Sequence, residues 1–287
     1  MTTITRRVVR LVARAFRAAS EGFRLIGRAP SAVCAWAFLW FAAFSISAWA
    51  VAASRHGIAI HSNPDYTLSG VGRQFGPFAV PLILLFFVVW LVTNLAAFRA
   101  VLHPGERRWF YLRLGTDEAR LGVLTIAAFL ALILIGFAPA KMVFLLASPI
   151  MRVVPTATLL VATAGVLITV WVEVWLGVRL SLIAVETFSE QRFHLSAYWP
   201  VTGGRFWFLL ISYFLVFLIL LVPFFVYFVA LEALSATALA YFGNGDLLRR
   251  GSVLAIAGVI AALTAGFWTL SWTVICACQA YAFRYIV

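Results

Sequence analysis

The sequence predicts an all-α polytopic membrane protein with six transmembrane helices, and three observations carry that reading. The 287 residues are 64% hydrophobic and only 11% charged, less than half the ~25% charge of an ordinary soluble domain. The mean hydropathy is +1.02. The apolar residues also gather into long blocks, about 32–53, 77–98, 121–147, 156–178, 206–231 and 252–280. A hydrocarbon core about 30 Å thick takes about 20 residues of helix, and every block reaches that length. Lipid offers no partner for backbone N–H and C=O groups, so a span must satisfy them internally as a helix.

The charge sets the orientation. There are 22 Lys and Arg against 10 Asp and Glu, a net charge of +12, and every basic residue except Lys141 is arginine. In a soluble chain this balance points to nucleic acid. Here it reads as topogenic charge, and no nucleic-acid partner is expected. Across six spans, 16 basic residues fall on the side of the termini and 6 on the other, which places both termini in the cytoplasm. No cleavable signal peptide is expected, because an arginine-rich amphipathic segment stands where its apolar core would be.

Taken in order, residues 5–28 carry a helical period. Arg10, Arg14, Arg17, Glu21, Arg24 and Arg28 share one face; Val12, Phe16, Ala19, Phe23 and Ile26 lie about 200° away. Such a helix lies in the interface with its arginines on anionic phospholipid headgroups. A mitochondrial transit peptide has similar composition, but no processing boundary separates this segment from the first span. Residues 1–30 therefore read as a cytoplasmic basic interfacial helix, and 31–287 as one six-helix domain. Pro30–Ser31 breaks the first helix and starts span one. In the following outer loop, His56, His61 and Asp65 share no helical or strand spacing, so no metal site is expected.

Span two runs into the densest polar stretch, Ala97 to Leu121. Pro104-Gly105 stops the helix. Arg107, Arg108 and Arg113 alternate with Trp109, Phe110 and Tyr111, the mixture expected at headgroup level. Gly115 breaks the chain again, and Thr116 reads as the N-cap of span three, with Asp117 and Glu118 complementing its dipole and pairing with Arg113 or Arg120. Adjacent helical residues diverge by about 100°, so the two carboxylates are not a ready-made acid/base dyad.

Spans three and five share a detail: Pro139 and Pro223 fall at matching depths, each followed by more apolar sequence. Both read as helix breaks at which the helix kinks near the outer leaflet and continues as a tilted or surface-lying piece. Such breaks mark substrate sites in some transporters, or repeat one bend of a duplicated scaffold, the reading favoured here. Lys141 and Glu232 lie in the two post-proline pieces, and an ion pair would offset the cost of placing each near lipid. If they pair, the losses of thermal stability in Lys141→Met and Glu232→Leu will combine non-additively in the double variant. In span four, Glu173 stands between Trp171 and Trp175 with Arg179 beyond. Its depth makes it an interfacial anchor rather than a proton relay. Cys276 and Cys278 diverge by about 200° on one helix, so with Cys34 they read as apolar packing.

The returning spans end alike, at Phe98-Arg99, Val178-Arg179 and Phe283-Arg284, and the outgoing spans each follow an aromatic-rich amphipathic segment. The plan reads as three helical hairpins, each preceded by a cytoplasmic amphipathic helix.

The stretch Tyr111-Leu112-Arg113-Leu114-Gly115, with Asp117-Glu118 and Arg120-Leu121, and the later Thr202-Gly203-Gly204-Arg205-Phe206-Trp207 carry a resemblance. The chain resembles bacterial polytopic membrane proteins related to the membrane domain associated with glycerophosphodiester phosphodiesterases. That resemblance implies a fold and a bacterial inner-membrane location. The phosphodiesterase activity of those proteins belongs to a separate soluble barrel, which is not expected here.

No P-loop, HExxH or GxSxG pattern is present, and neither catalytic residues nor a cofactor are expected. The leading expectation is a non-enzymatic scaffold acting on lipid or on partner membrane proteins. A transporter or permease component with a site near Pro139 and Pro223 is the alternative. A lipid-modifying enzyme using His103, His194, Asp117 or Glu118 at the interface is the third.

Overall fold

A computed structural model describes residues 3–53, 78–106, 108–113, 115–116, 118–128, 130–131, 134, 155–190, 202, 204–242 and 250–286. Every regular element among them is helical. In chain order these are α1 (Thr3–Arg28), α2 (Pro30–Ala53), α3 (Ala79–Leu102), α4 (Pro155–Leu180), α5 (Ile183–Glu190), α6 (Phe206–Phe242) and α7 (Arg250–Ile286). Residues 118–128 are also helical. Among the described residues, five stretches are long and apolar enough to cross a membrane: Pro30–Ala50, Ala79–Leu102, Thr163–Glu190, Phe206–Thr237 and Ala255–Ile286. Most of the third predicted span, 121–147, lies outside the described residues, as do Pro139 and Lys141.

Contacts divide the chain into two compact units. One comprises Met1–Ala15, Leu114–Ile211 and Gln279–Val287; the other comprises Phe16–Arg113 and Ser212–Cys278.

The second unit is built where α1, α2, α3 and α7 come together. At its centre Trp40, Ala43, Val89 and Ala265 are buried. The two alanines let helix backbones approach, and the large rings fill the space beside them. Trp40 stacks on Trp268 at 5.8 Å between centroids, and Trp268 on Trp272 at 6.1 Å. Trp90 meets Trp272 edge-on at 5.7 Å. Polar links cross the same region. The Asn94 side-chain amide donates to the Trp90 carbonyl at 2.7 Å, and its oxygen accepts from the Cys276 thiol. Cys276 is therefore a hydrogen-bonding residue that ties α3 to α7, beyond the apolar packing its composition suggested.

The break between α1 and α2 falls at Ala29, with Pro30 in the first helical position. Proline has no N–H to lose there, and its fixed φ suits the helix start. The Ala29 carbonyl accepts from Ala32 and Val33 at 3.1 and 3.2 Å. The face α1 buries differs from the one its hydrophobic period indicates. Val12, Phe16 and Phe23 are exposed, whereas Ala15, Ala18, Ala19, Gly22 and Leu25 are buried. The buried stripe sits about 90° round the helix from the large apolar residues. The reason is distance: only small residues allow the approach seen at Gly22, where an added Cβ would lie 2.4 Å from the Val274 Cα.

Pro223 lies inside α6, which continues past it from Phe206 to Phe242. Proline removes one backbone donor, and ending a helix among apolar residues would orphan several more. One expectation is corrected: the segment before the third predicted span is not an amphipathic helix. Arg108–Tyr111 forms a single tight turn in which Trp109, Phe110 and Tyr111 take φ of 50°, 58° and 64°. Nine residues between the Pro104-Gly105 stop and Gly115 are too few to hold a helix unaided. Gly115 rather than Thr116 precedes the next helix, its carbonyl accepting from Ala119 at 3.3 Å.

The most apolar stretch of α6 is largely uncovered, only 6% of it being buried against 44% for α3. Phe217, Leu218, Leu221, Val222, Phe224 and Phe225 are exposed across roughly half of the helix circumference, while Tyr227 stacks on Phe267 of α7 at 4.7 Å.

Candidate functional site

The first unit contains a cavity of about 460 Å³. Its walls come from the first turns of α1, from the residues that open α6, and from the end of α7. Arg10 and Arg14 are one helical turn apart and therefore share a face. Gly204, Arg205, Trp207 and Phe208 supply the second wall, and Tyr285 the third. The described lining holds three arginines and no carboxylate.

Two of these arginines have defined positions. The Arg205 guanidinium donates to the carbonyls of Tyr285 at 3.3 Å and Ile286 at 2.8 Å. These carbonyls lie in the last turn of α7, where carbonyls lack an intrahelical donor and the helix dipole favours a cation. Arg14 lies over the Tyr285 ring at 5.1 Å, and Phe208 packs on the same ring at 5.6 Å. Arg10 is exposed and has no ion-pair partner among the described residues. Trp207 is 60% exposed. The site is thus a cationic, aromatic-walled recess, suited to an anion attached to something apolar.

In the second unit, Arg99 is 1% exposed, although its sequence position suggested a loop arginine. It donates to the Tyr111 carbonyl at 3.2 Å. The Trp36 indole N–H donates to the adjacent Phe110 carbonyl at 3.0 Å, and the Tyr111 hydroxyl to the Pro104 carbonyl at 3.2 Å. Together they hold a left-handed turn of three residues that carry a Cβ, each of which costs about 1–2 kcal/mol in that conformation.

The other sequence-predicted residues scatter. Arg17 is exposed. Arg24 and Arg28 both pair with Glu21, the former at 3.6 Å, and Glu21 itself is buried because it borders the small-residue stripe. Arg113 pairs with Glu106 at 3.8 Å across exposed surface. Arg108 begins the left-handed turn. Arg107, Asp117 and His194 lie outside the described residues, as do His56, His61 and Asp65. Glu173 and Glu232 are exposed, and Arg179 stacks over Trp175 at 4.7 Å. His103 is exposed while Glu118 is buried.

Comparison with family models, with curated proteins and with solved structures finds no match to the chain. The site is therefore described by its own chemistry. Sequence reading marked Arg10 and Arg14 and quoted Arg205 and Trp207 only within a motif; it missed Tyr285 and did not join any of the three to the α1 arginines. They stand about 190 and 270 residues further on, and no periodicity joins such separations.

Proposed function

We propose that the chain is a non-enzymatic inner-membrane protein that acts on lipid or on partner membrane proteins, with six spans in three hairpins and both termini cytoplasmic. The observation that supports this best is the pairing of surfaces on α1. Arg10, Arg14 and Arg17 are exposed on one side and Val12, Phe16 and Phe23 on another, while the small residues pack inward. That is the arrangement of a helix lying at headgroup level against protein, with cations for phosphate and rings for the acyl boundary. The exposed apolar face of α6 supports the same reading. The resemblance to the membrane domain associated with glycerophosphodiester phosphodiesterases belongs to this proposal, without its enzymatic partner.

The test has two parts. A cysteine placed in the 62–72 loop of a variant lacking the native cysteines should react with an impermeant maleimide added to intact cells. Protein reconstituted into mixed nanodiscs should enrich phosphatidylglycerol over phosphatidylcholine in its lipid shell. A sealed loop overturns the topology, and an unselective shell overturns the lipid reading.

A further inference from the structure

We infer that the cavity walled by Arg10, Arg14, Arg205 and Tyr285 is a binding site for the phosphate of an acidic glycerophospholipid, held one per chain. The inference rests on the proposed lipid-interacting role and names the site that would carry it.

Three observations converge. The first is charge. Three guanidinium groups border one recess whose described walls hold no carboxylate, so their mutual repulsion is relieved when an anion enters. Guanidinium groups are also the side chains best matched to phosphate, presenting forked donors. The second is size. A space of about 460 Å³ lies within the ~300–1,000 Å³ of small-molecule sites and accepts a glycerophosphate headgroup with room to spare.

The third observation separates a lipid from a free phosphate. Trp207 lines the cavity while remaining exposed, and it opens an apolar stripe on α6. Trp207, Phe214, Leu218, Leu221 and Phe225 are all exposed, and their spacings of 7, 4, 3 and 4 keep them on one helix face. Eighteen residues of helix rise about 27 Å, more than the ~15 Å depth of one hydrocarbon leaflet. An acyl chain leaving the headgroup can therefore lie along α6 for its whole length. A soluble phosphate makes no use of that surface.

The roles divide accordingly. Arg205 is already fixed by the α7 carbonyls and presents its remaining N–H groups as a rigid wall. Arg14 is steadied on Tyr285. Arg10, one turn nearer the N-terminus, closes over the anion from the open side.

The test is native mass spectrometry of the full chain in detergent with added phosphatidylglycerol or phosphatidylcholine. Wild type should retain one phosphatidylglycerol per chain in preference to phosphatidylcholine. Arg10→Gln/Arg14→Gln should bind it roughly tenfold more weakly or worse, as expected on losing charge-assisted contacts. Arg55→Gln/Arg73→Gln removes the same charge from the predicted outer loop and should bind as wild type does. Arg10→Lys/Arg14→Lys should recover part of the affinity, which separates lost charge from lost fold. Equal retention by wild type and Arg10→Gln/Arg14→Gln overturns the site while leaving a general preference for anionic lipid intact. No preference for phosphatidylglycerol in wild type overturns the broader reading as well. Displacement of the lipid by millimolar inorganic phosphate overturns the lipid assignment in favour of a soluble anion.

Discussion

Gly22→Ala is expected to lower the thermal midpoint of the purified protein, and Gly27→Ala, five residues along the same helix, to raise it slightly. At Gly22 a new Cβ falls 2.4 Å from the Val274 Cα and 2.9 Å from its Cβ. The nearest of these atoms is backbone, so no rotamer change relieves the clash and α1 must move away from α7. Overpacking of this kind costs about 1–3 kcal/mol, and larger side chains should abolish the packing. Around Gly27 nothing lies within 4 Å of an added Cβ. There the substitution acts through helix propensity alone, a gain of about 0.5–1 kcal/mol. Tryptophan emission followed through a temperature ramp in detergent reads both. Equal stability of Gly22→Ala and wild type would show that the two helices do not cross closely.

The second large effect concerns Arg99. Arg99→Met keeps the length of the side chain and removes the donor to the Tyr111 carbonyl. A hydrogen bond from a charged group is worth about 1.5–3 kcal/mol, and the left-handed turn loses one of its two carbonyl anchors. Arg99→Lys should not restore it, since a single ammonium cannot reproduce the planar fork. Trp36→Phe removes the other anchor, a neutral one, at about 0.5–1.5 kcal/mol. Trp109→Gly should move stability in the opposite direction. Trp109 is 81% exposed and sits at φ 50°, a conformation glycine adopts without the steric cost. The net gain is about 1 kcal/mol or less, because glycine also loses more freedom on folding. If Arg99→Met unfolds at the wild-type temperature, the guanidinium does not hold the turn.

The long apolar helices among the described residues were legible because they depend on composition summed over about 20 residues. The expected block 32–53 is met by α2 at Pro30–Ala53, and 77–98 by α3 at Ala79–Leu102. The start of α2 was legible from Pro30 alone. The continuation of the helix past Pro223 was legible as well: a local rule against proline in helices competes there with the cost of unsatisfied backbone among apolar residues, and the second is larger. On α1, the large residues Val12, Phe16, Phe23 and Ile26 drew attention away from Ala18 and Gly22, whose small-xxx-small spacing was the available sign of close helix packing.

Arg99 and the cavity show the harder limit. Counting arginines by loop treats them as equivalent, yet Arg99 is enclosed, Arg205 caps a helix end, and Arg10 faces an open recess. The chain by itself determined that long apolar helices would form, because lipid leaves the backbone no other partner and each helix satisfies its own. Which side chains meet across those helices was decided only by tertiary packing. Contacts such as Arg205 with Tyr285, or Gly22 with Val274, join residues whose separation in sequence carries no period, and they depend on ångström-scale distances between helix backbones.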